Sequence, residues 1–146
     1  MWGLARASHP LPTFCRLFYY EVKILHDGKT KEIEIGITEK EDYEFNVGMD
    51  GIGYRGCNGM LYKSIARNGT SFGPTFAKAD VIGCGVNLTT HQVFFTKNGE
   101  IIGFTRHYFD TALGFSSWFP AVSLKAKNAK VEINFGELPF LFEICK

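Results

Sequence analysis

One stretch decides the fold of this chain: Val93-Phe94-Phe95-Thr96-Lys97-Asn98-Gly99-Glu100-Ile101-Ile102. In it, Asn98-Gly99 lies between two apolar runs of β-branched and aromatic residues. A type I′ hairpin turn needs a positive φ at both central residues, and Asn-Gly adopts that conformation readily. The stretch therefore predicts two antiparallel strands joined by a two-residue turn, with a positive φ at both Asn98 and Gly99.

Alternation of apolar and polar residues marks three further strands. The positions expected to face a core are Phe18, Tyr20, Val22 and Ile24, then Ile33, Ile35 and Ile37, and finally Val131, Ile133 and Phe135. Residues between them, such as Glu21 and Glu34, are expected to face water, because successive side chains of a strand point to opposite faces. Asp27-Gly28 predicts a turn between the first two of these strands.

The rest of the chain fits one all-β domain. Residues 39–58 are rich in charge, Tyr and Gly, which predicts a long irregular connection. The one helical pattern is a single turn predicted at 107–113. Nine phenylalanines are expected in the core: Phe72, Phe76, Phe94, Phe95, Phe104, Phe119, Phe135, Phe140 and Phe142. With 146 residues and 16 glycines, we predict a two-sheet antiparallel β-sandwich with little or no helix, one domain over residues 1–146 with its core at about 9–142.

The charge balance excludes several kinds of partner. The chain carries 16 basic and 15 acidic side chains, a formal net charge of +1. Such a balance gives little attraction for DNA, RNA or anionic lipid.

No apolar run approaches the roughly 20 residues that a membrane helix needs. Residues 1–12 contain Arg6, His9 and two prolines where a secretory signal needs a continuous apolar stretch. We therefore expect a cytoplasmic protein that binds neither nucleic acid nor membrane.

The four cysteines are widely spaced and include no Cys-x-x-Cys pair, so they predict no metal site. They are Cys15, Cys57, Cys84 and Cys145. The four could form two disulfides in an oxidising compartment or remain buried thiols in a reducing one. A core of this size needs no covalent cross-link, which favours thiols.

Two other patterns suggest chemistry that the context does not support. Residues 51–56 match the G-x-G-x-x-G pattern of dinucleotide-binding proteins. That pattern works only between a strand and a helix, and Cys57-Asn58-Gly59 would break a helix here, so we predict a turn-rich loop and no cofactor. The histidines are His9, His26, His91 and His107. Because His26 and His91 flank predicted turns, solvated loop histidines are favoured over catalytic or metal-binding ones.

A series of segments, in order along the chain, resembles one known family. The first is Asp80-Val81-Ile82-Gly83-Cys84-Gly85-Val86-Asn87, together with the hairpin stretch. The others are Phe18-Tyr19-Tyr20-Glu21-Val22, Ile35-Gly36-Ile37, Gly53-Tyr54-Arg55-Gly56, Ser71-Phe72-Gly73-Pro74, Phe119-Pro120-Ala121-Val122-Ser123-Leu124 and Val131-Glu132-Ile133-Asn134-Phe135-Gly136. They resemble the SPRY domain, and are most similar to the SPRY domains of Ran-binding-protein-type scaffolds. The resemblance implies a non-catalytic, protein-binding β-sandwich without a cofactor.

The resemblance also implies a set of partner-binding residues. In the SPRY branch attached to SOCS-box ubiquitin ligases, the peptide site draws on four elements that match residues 9–12, 30–31, 62 and 125–126 here. The implied positions are Pro10, Pro12, Thr30, Lys31, Tyr62, Lys125 and Ala126. That branch has an Arg where Ser8 stands and a Trp near Lys125-Ala126, so we do not expect the same acidic, Asn-rich peptide.

Aromatic residues in or beside predicted loops supply further candidates. They are Tyr43, Tyr54, Tyr62 and Trp118. Rings that carry a polar group are enriched at binding surfaces, and loops often form such surfaces. Tyr54 and the adjacent Arg55 complete the predicted partner-binding set.

We expect a monomeric domain that binds a protein or a short extended peptide, in a substrate-recruiting or scaffold role within a larger protein. The alternative is a structural domain that packs against neighbouring domains. A concave, polar-rimmed loop surface would favour the first function, and an apolar patch on one sheet face would favour the second. An enzyme would need a thiol with a depressed pKa.

Overall fold

The computed structural model describes residues 3–12, 16–39, 47, 51–63, 66–105 and 118–144. Eleven strands are the regular elements of this part of the chain. They are β1 (Gly3–Arg6), β2 (Leu17–His26), β3 (Ile33–Thr38), β4 (Gly51–Arg55), β5 (Met60–Lys63), β6 (Ala66–Ser71), β7 (Val81–Asn87), β8 (Gln92–Lys97), β9 (Glu100–Phe104), β10 (Phe119–Leu124) and β11 (Lys130–Asn134).

The strands form two sheets. The six-stranded sheet has the order β1-β10-β3-β4-β5-β6, and the five-stranded sheet has the order β11-β2-β7-β8-β9. Every pair of neighbouring strands is antiparallel. The turn predicted at Asp27-Gly28 carries the chain from β2 in one sheet to β3 in the other, and Gly28 has a φ of 71°. The predicted two-sheet antiparallel fold is therefore confirmed.

The core lies between the two sheets. Its fully buried members include Tyr20, Val22, Ile24, Ile82, Cys84, Val86 and Phe95 from the five-stranded sheet, and Ile35, Ile37 and Tyr54 from the six-stranded sheet. Ile35 faces this core, as the alternation predicts. The Tyr20 hydroxyl reaches across the sandwich to the backbone carbonyls of Gly36 and Ala121, which joins the two sheets by hydrogen bonds.

The predicted hairpin is confirmed in detail. β8 and β9 pair on either side of Asn98 and Gly99, whose φ angles are 52° and 90°. Asn98 also ties this turn to β7, because its backbone N–H donates to the Val81 carbonyl at 2.7 Å and its Oδ1 accepts the Val81 N–H at 2.8 Å.

The prediction of one irregular connection over residues 39–58 is wrong at its C-terminal end, where β4 lies. β4 obeys the period of two, with Ile52 and Tyr54 facing the core. The alternate positions include Gly51 and Gly53. Because glycine has no side chain, these positions give no hydropathy signal by which the strand could be predicted. Tyr43 and the helical turn predicted at 107–113 lie outside the described residues.

Several side chains differ in exposure from what simple alternation predicts. Glu34 and Glu21, expected to face water, are buried, at 0% and 3% exposure. Both lie on outer faces of the sheets, where Arg55 pairs with Glu34 and residues 139–142 cover Glu21. In contrast, Phe104 and Phe135 were expected in the core and are 52% and 44% exposed. Contacts with distant segments, which alternation cannot report, bury the two carboxylates.

Candidate binding surface

Tyr62 lies in β5 on the outer face of the six-stranded sheet, opposite Gly53 of β4. Its ring is half-buried and its position is fixed from two sides. Asn58 donates a hydrogen bond from Nδ2 to the Tyr62 hydroxyl at 2.9 Å. A methyl group at Gly69 would lie 2.7 Å from the ring carbon Cζ, so the ring packs directly against that backbone. A fixed, partly exposed ring offers contact area at a small cost in conformational entropy.

Arg55, at the end of β4, packs on the same ring. Its guanidinium carbon is 3.7 Å from the centre of the Tyr62 ring, a cation–π contact. The guanidinium also bonds to Glu34 of β3, from Nε at 2.9 Å and from Nη2 at 2.8 Å, both to Oε2. Because Glu34 is fully buried, its negative charge depends on this partner. Arg55 is therefore a positioning residue whose charge is compensated locally.

Three turns meet at the end of the six-stranded sheet where Arg55 lies. The turn that follows β4 is fixed there by a hydrogen bond from the Gly56 N–H to the Ile33 carbonyl at 2.8 Å. The turns that precede β3 and follow β10 contact each other, since the Lys125 N–H donates to the Glu32 carbonyl at 3.0 Å. The Lys125 ammonium also lies 3.6 Å from the Glu32 carboxylate.

Five of the predicted positions therefore lie at this end and form what we call the turn-end surface: Thr30, Lys31, Arg55, Tyr62 and Lys125. Thr30, Lys31 and Lys125 are exposed. Lys31 has a φ of 58°, a left-handed backbone conformation in the turn.

Pro10 and Pro12 lie elsewhere. Between them, the Leu11 N–H donates to the Trp118 carbonyl at 2.7 Å, directly before β10 begins at Phe119. Lys125 follows the opposite end of β10, and a six-residue strand is about 17–20 Å long. The structure therefore does not bring the two prolines together with the turn-end surface.

Two predicted contact residues are buried, so their expected exposure is wrong. Tyr54 is 0% exposed, because it faces the core from β4 and packs against Phe76 and Phe95 at 5.1 and 5.3 Å between ring centres. Burial raises the pKa of Tyr54 well above its ordinary value. Ala126 is 7% exposed, because Gly28 packs against it. Neither side chain is available to a partner that docks on the folded surface.

The residues that sequence reasoning missed are the ones that fix Tyr62. Glu34 was expected to face water, and neither Asn58 nor Gly69 was predicted to contact Tyr62. Glu34 and Arg55 are 21 residues apart and meet only through the pairing of β3 with β4. Asn58 lies four residues before Tyr62 and fixes it across a tight turn, which a search for turn-forming Asn near an aromatic residue would have found.

The cysteines described by the structure are free thiols. Cys84 is buried in the core, and Cys57 is exposed in the turn after β4. Partial burial raises the pKa of the Cys57 thiol, although the nearby Arg55 opposes this effect. Burial also raises the pKa of Cys84. Neither thiol has the depressed pKa of an activated nucleophile. Cys15 and Cys145 lie outside the described residues.

The described residues also include no candidate metal site and no candidate membrane-spanning helix. Over the described ranges, no group of three or more His, Cys, Asp or Glu side chains is placed to hold a metal ion. Within those ranges, too, no helix is long and apolar enough to cross a membrane.

Comparison with known proteins agrees with the fold. The family model of the SPRY domain matches residues 17–138. The Ran-binding proteins 9/10 homolog of Drosophila melanogaster is 37% identical over 142 residues, which cover 94% of this chain and 14% of that protein. Ran-binding protein 9 of Xenopus tropicalis is also 37% identical over 142 residues, covering 95% of this chain and 25% of that protein.

A solved structure shows the same architecture. The crystal structure of a human SPRY domain superposes with a TM-score of 0.80 at 27% identity, covering 94% of this chain and 87% of that one. The chain spans only a quarter or less of the length of the two relatives named above. The resemblance found in the sequence is confirmed, and the chain belongs to the SPRY domain family.

Proposed function

We propose that the chain is a non-catalytic recognition module whose turn-end surface binds a short segment of a partner protein. SPRY domains are in general protein-interaction modules. The observation that carries the choice of this surface is the half-exposed ring of Tyr62, held by Arg55, Asn58 and Gly69. A surface that is ordered before binding loses little entropy when a ligand docks, which favours affinity.

The charges of the turn-end surface suggest how it recognises a ligand. Arg55 is paired with Glu34, and Lys125 lies near Glu32, whereas the exposed Lys31 adds a positive charge to this surface. We therefore expect recognition mainly through stacking on Tyr62 and through hydrogen bonds, with a smaller contribution from attraction of acidic groups to Lys31. Such binding should depend only weakly on salt concentration.

The cellular role is part of the same proposal. We propose a monomeric cytoplasmic domain that serves as a substrate-recruiting or scaffold part of a longer protein. The relatives are named Ran-binding proteins, so Ran is the first purified candidate to test as a partner. Since this chain spans a small part of those relatives, the partner of the domain itself is best sought without assuming Ran.

The experiment is affinity capture from a cell extract with three immobilised forms of the chain: wild type, Tyr62→Ala and Tyr62→Phe. Captured proteins are quantified by mass spectrometry, and each candidate is then purified and measured by calorimetry. A genuine partner should be captured by wild type and Tyr62→Phe and lost with Tyr62→Ala. Identical capture by all three forms would contradict the assignment to this surface.

A second candidate function, packing against other domains, is favoured by an apolar patch on the outer face of the five-stranded sheet. Ile101, Phe104 and Leu141 are 47%, 52% and 56% exposed there. Exposed apolar patches commonly mark interfaces. If the chain packs in this way, hydrogen exchange of β9 should be slower in a longer parent protein than in the isolated domain, while exchange around Tyr62 stays the same.

A further inference from the structure

A second ordered surface lies on the outer face of the five-stranded sheet, whereas Tyr62 belongs to the six-stranded sheet. Its floor is formed by Tyr19 of β2 and Phe94 of β8, whose ring centres are 6.0 Å apart with planes 14° from parallel. The strand between them, β7, contributes Gly83 and Gly85. A methyl group at Gly83 would collide with the Tyr19 hydroxyl, and one at Gly85 would collide with the Phe94 ring. Glycine at both positions lets the two rings lie against the sheet.

A buried carboxylate completes this floor. Glu21 accepts a hydrogen bond from the Tyr19 hydroxyl at 2.8 Å, and that hydroxyl also lies 2.7 Å from Thr96 Oγ1. Two successive backbone groups also donate to Glu21. Oε1 accepts the N–H of Leu141 at 3.0 Å, and Oε2 accepts the N–H of Phe142 at 3.1 Å. Glu21 thus holds the bend at residues 141–142 by its backbone, as a charge-assisted acceptor.

The segment that lies on the floor is Pro139-Phe140-Leu141-Phe142. The ring of Phe140 meets Tyr19 edge-on at 4.9 Å, and the ring of Phe142 lies 5.2 Å from the same residue. Leu141, between them, points outward and is 56% exposed. Residues 141–142 form a bend, in which Phe140 and Phe142 both contact Tyr19 while Leu141 faces solvent.

The segment differs from the strands in the way it is held. In the described part of the chain the last strand ends at Asn134, and residues 139–142 join neither sheet. They are fixed by ring contacts and by one carboxylate. Segments without ladder hydrogen bonds can open locally while the rest of a domain stays folded. The apolar face also extends beyond the segment, over Phe104, whose ring is 5.6 Å from Phe94 and 52% exposed.

We infer that this face is a second recognition site, which takes a partner segment with aromatic side chains two positions apart and a bend like that of residues 141–142, and that residues 139–142 occupy it in cis. This inference does not depend on the turn-end surface. Because Glu21 accepts two N–H groups, the ligand needs one on the residue between its aromatics and one on the second aromatic. Proline between the two aromatics would remove the first N–H and is excluded.

Because the cis segment competes for the site, it sets the affinity that a partner needs in order to bind. A segment joined by a short connection has an effective concentration in the millimolar range, so a free peptide at micromolar concentration competes poorly with it. Removal of the two rings of the cis segment should therefore open the site to a peptide added in trans.

The test uses the full chain with Phe140→Ala and Phe142→Ala. The probe is a fluorescein-labelled peptide with the sequence of residues 136–144, and binding is followed by fluorescence anisotropy. We expect the variant to bind at least roughly tenfold more tightly than the wild-type chain, because cis competition is removed. The same peptide with proline in place of the leucine between its two phenylalanines should bind neither chain. Equal binding to both chains, or binding that survives the proline, overturns the inference.

Hydrogen exchange of the wild-type chain tests the inference even if the variant fails to fold. The amides of Leu141 and Phe142 should exchange at least roughly tenfold faster than that of Val22, which is buried in a central strand. Their exchange should also be insensitive to low concentrations of denaturant, because local opening exposes little surface. Equal rates at all three amides with the same denaturant dependence would show that the segment leaves only on global unfolding, and would overturn the inference.

Discussion

The guanidinium of Arg55 lies 3.7 Å from the centre of the Tyr62 ring while it bonds to the buried carboxylate of Glu34. One row of side chains on the outer face of the six-stranded sheet therefore links a buried ion pair to a half-exposed aromatic ring. We propose separable roles for the two residues, with Tyr62 as the contact surface and Arg55 as the residue that holds it in place. Substitutions at the two positions should consequently affect binding and stability in different proportions.

Replacing Tyr62 with Ala should weaken binding of a partner by about 1–3 kcal/mol and leave the fold intact. The ring is partly exposed, and its cation–π interaction with Arg55 contributes about 0.5–1 kcal/mol at such sites. Tyr62→Phe keeps the ring and is the matched control. Calorimetry and thermal melts of both variants check this expectation. Weaker binding together with a large fall in Tm would make Tyr62 a core residue, and unchanged binding would remove it from the site.

Replacing Arg55 with Ala should mainly reduce stability, by about 3–5 kcal/mol, because it removes a cation that bonds to the buried Glu34 carboxylate. The double variant Glu34→Gln, Arg55→Ala removes the charge as well, so its loss of stability should be smaller than the sum of the two single losses. Urea denaturation of the three variants measures these differences. A loss of stability for Arg55→Ala no larger than that for the exposed Lys125→Ala would show that Glu34 does not depend on Arg55.

The sequence predicted the parts of this molecule that depend on local patterns. The hairpin at Asn98-Gly99 follows from backbone conformation alone, and the inward position of Ile35 follows from the alternation around it. β4 was not predicted, because Gly51 and Gly53 give no hydropathy signal on its outer face. A pattern of period two is visible only where both faces of a strand carry side chains.

The outer faces of the sheets could not be predicted because they depend on contacts between distant segments. Glu21 is buried by N–H donors 120 and 121 residues further along the chain. Nothing near Glu21 in the sequence marks it as the acceptor for that segment. The same holds for Tyr54, which looks like a loop residue beside its glycines and becomes core only when β4 pairs with β3 and β5.

Replacing Ile35 with Asp should reduce stability by several kcal/mol, because the new carboxylate would be buried between the sheets without a partner. A domain with ordinary stability would then be largely unfolded. Ile35→Val, which removes one methyl group at a cost of about 0.5–1.5 kcal/mol, is the control. Circular dichroism melts distinguish the two, and a cooperative melt of Ile35→Asp within a few degrees of wild type would show that its position is misassigned.

Replacing Gly99 with Val should destabilise the chain by more than about 1 kcal/mol, since a β-branched residue fits a φ of 90° poorly. A Cβ there would also lie 3.0 Å from the Leu141 carbonyl oxygen. Gly99→Asn is the matched control, because Asn tolerates the left-handed region and should lose less. Equal stability of the Val and Asn variants in urea denaturation would argue against backbone strain as the cause.

Alkylation with iodoacetamide should distinguish the two described thiols and test the possibility of a thiol enzyme. Burial raises the pKa of Cys57, so at pH 7.5 less of it is thiolate than of an ordinary thiol, and it should react more slowly than a cysteine in a short peptide. Its rate should continue to rise with pH above the ordinary thiol pKa of about 8.5, where the peptide rate levels off. Cys84 is buried in the core and should react only after denaturant is added.

Mass spectrometry of tryptic peptides assigns each product, with Cys57→Ser as the control. If Cys57 is alkylated faster than the peptide cysteine at pH 7, the result would instead indicate an activated nucleophile and would favour a catalytic role.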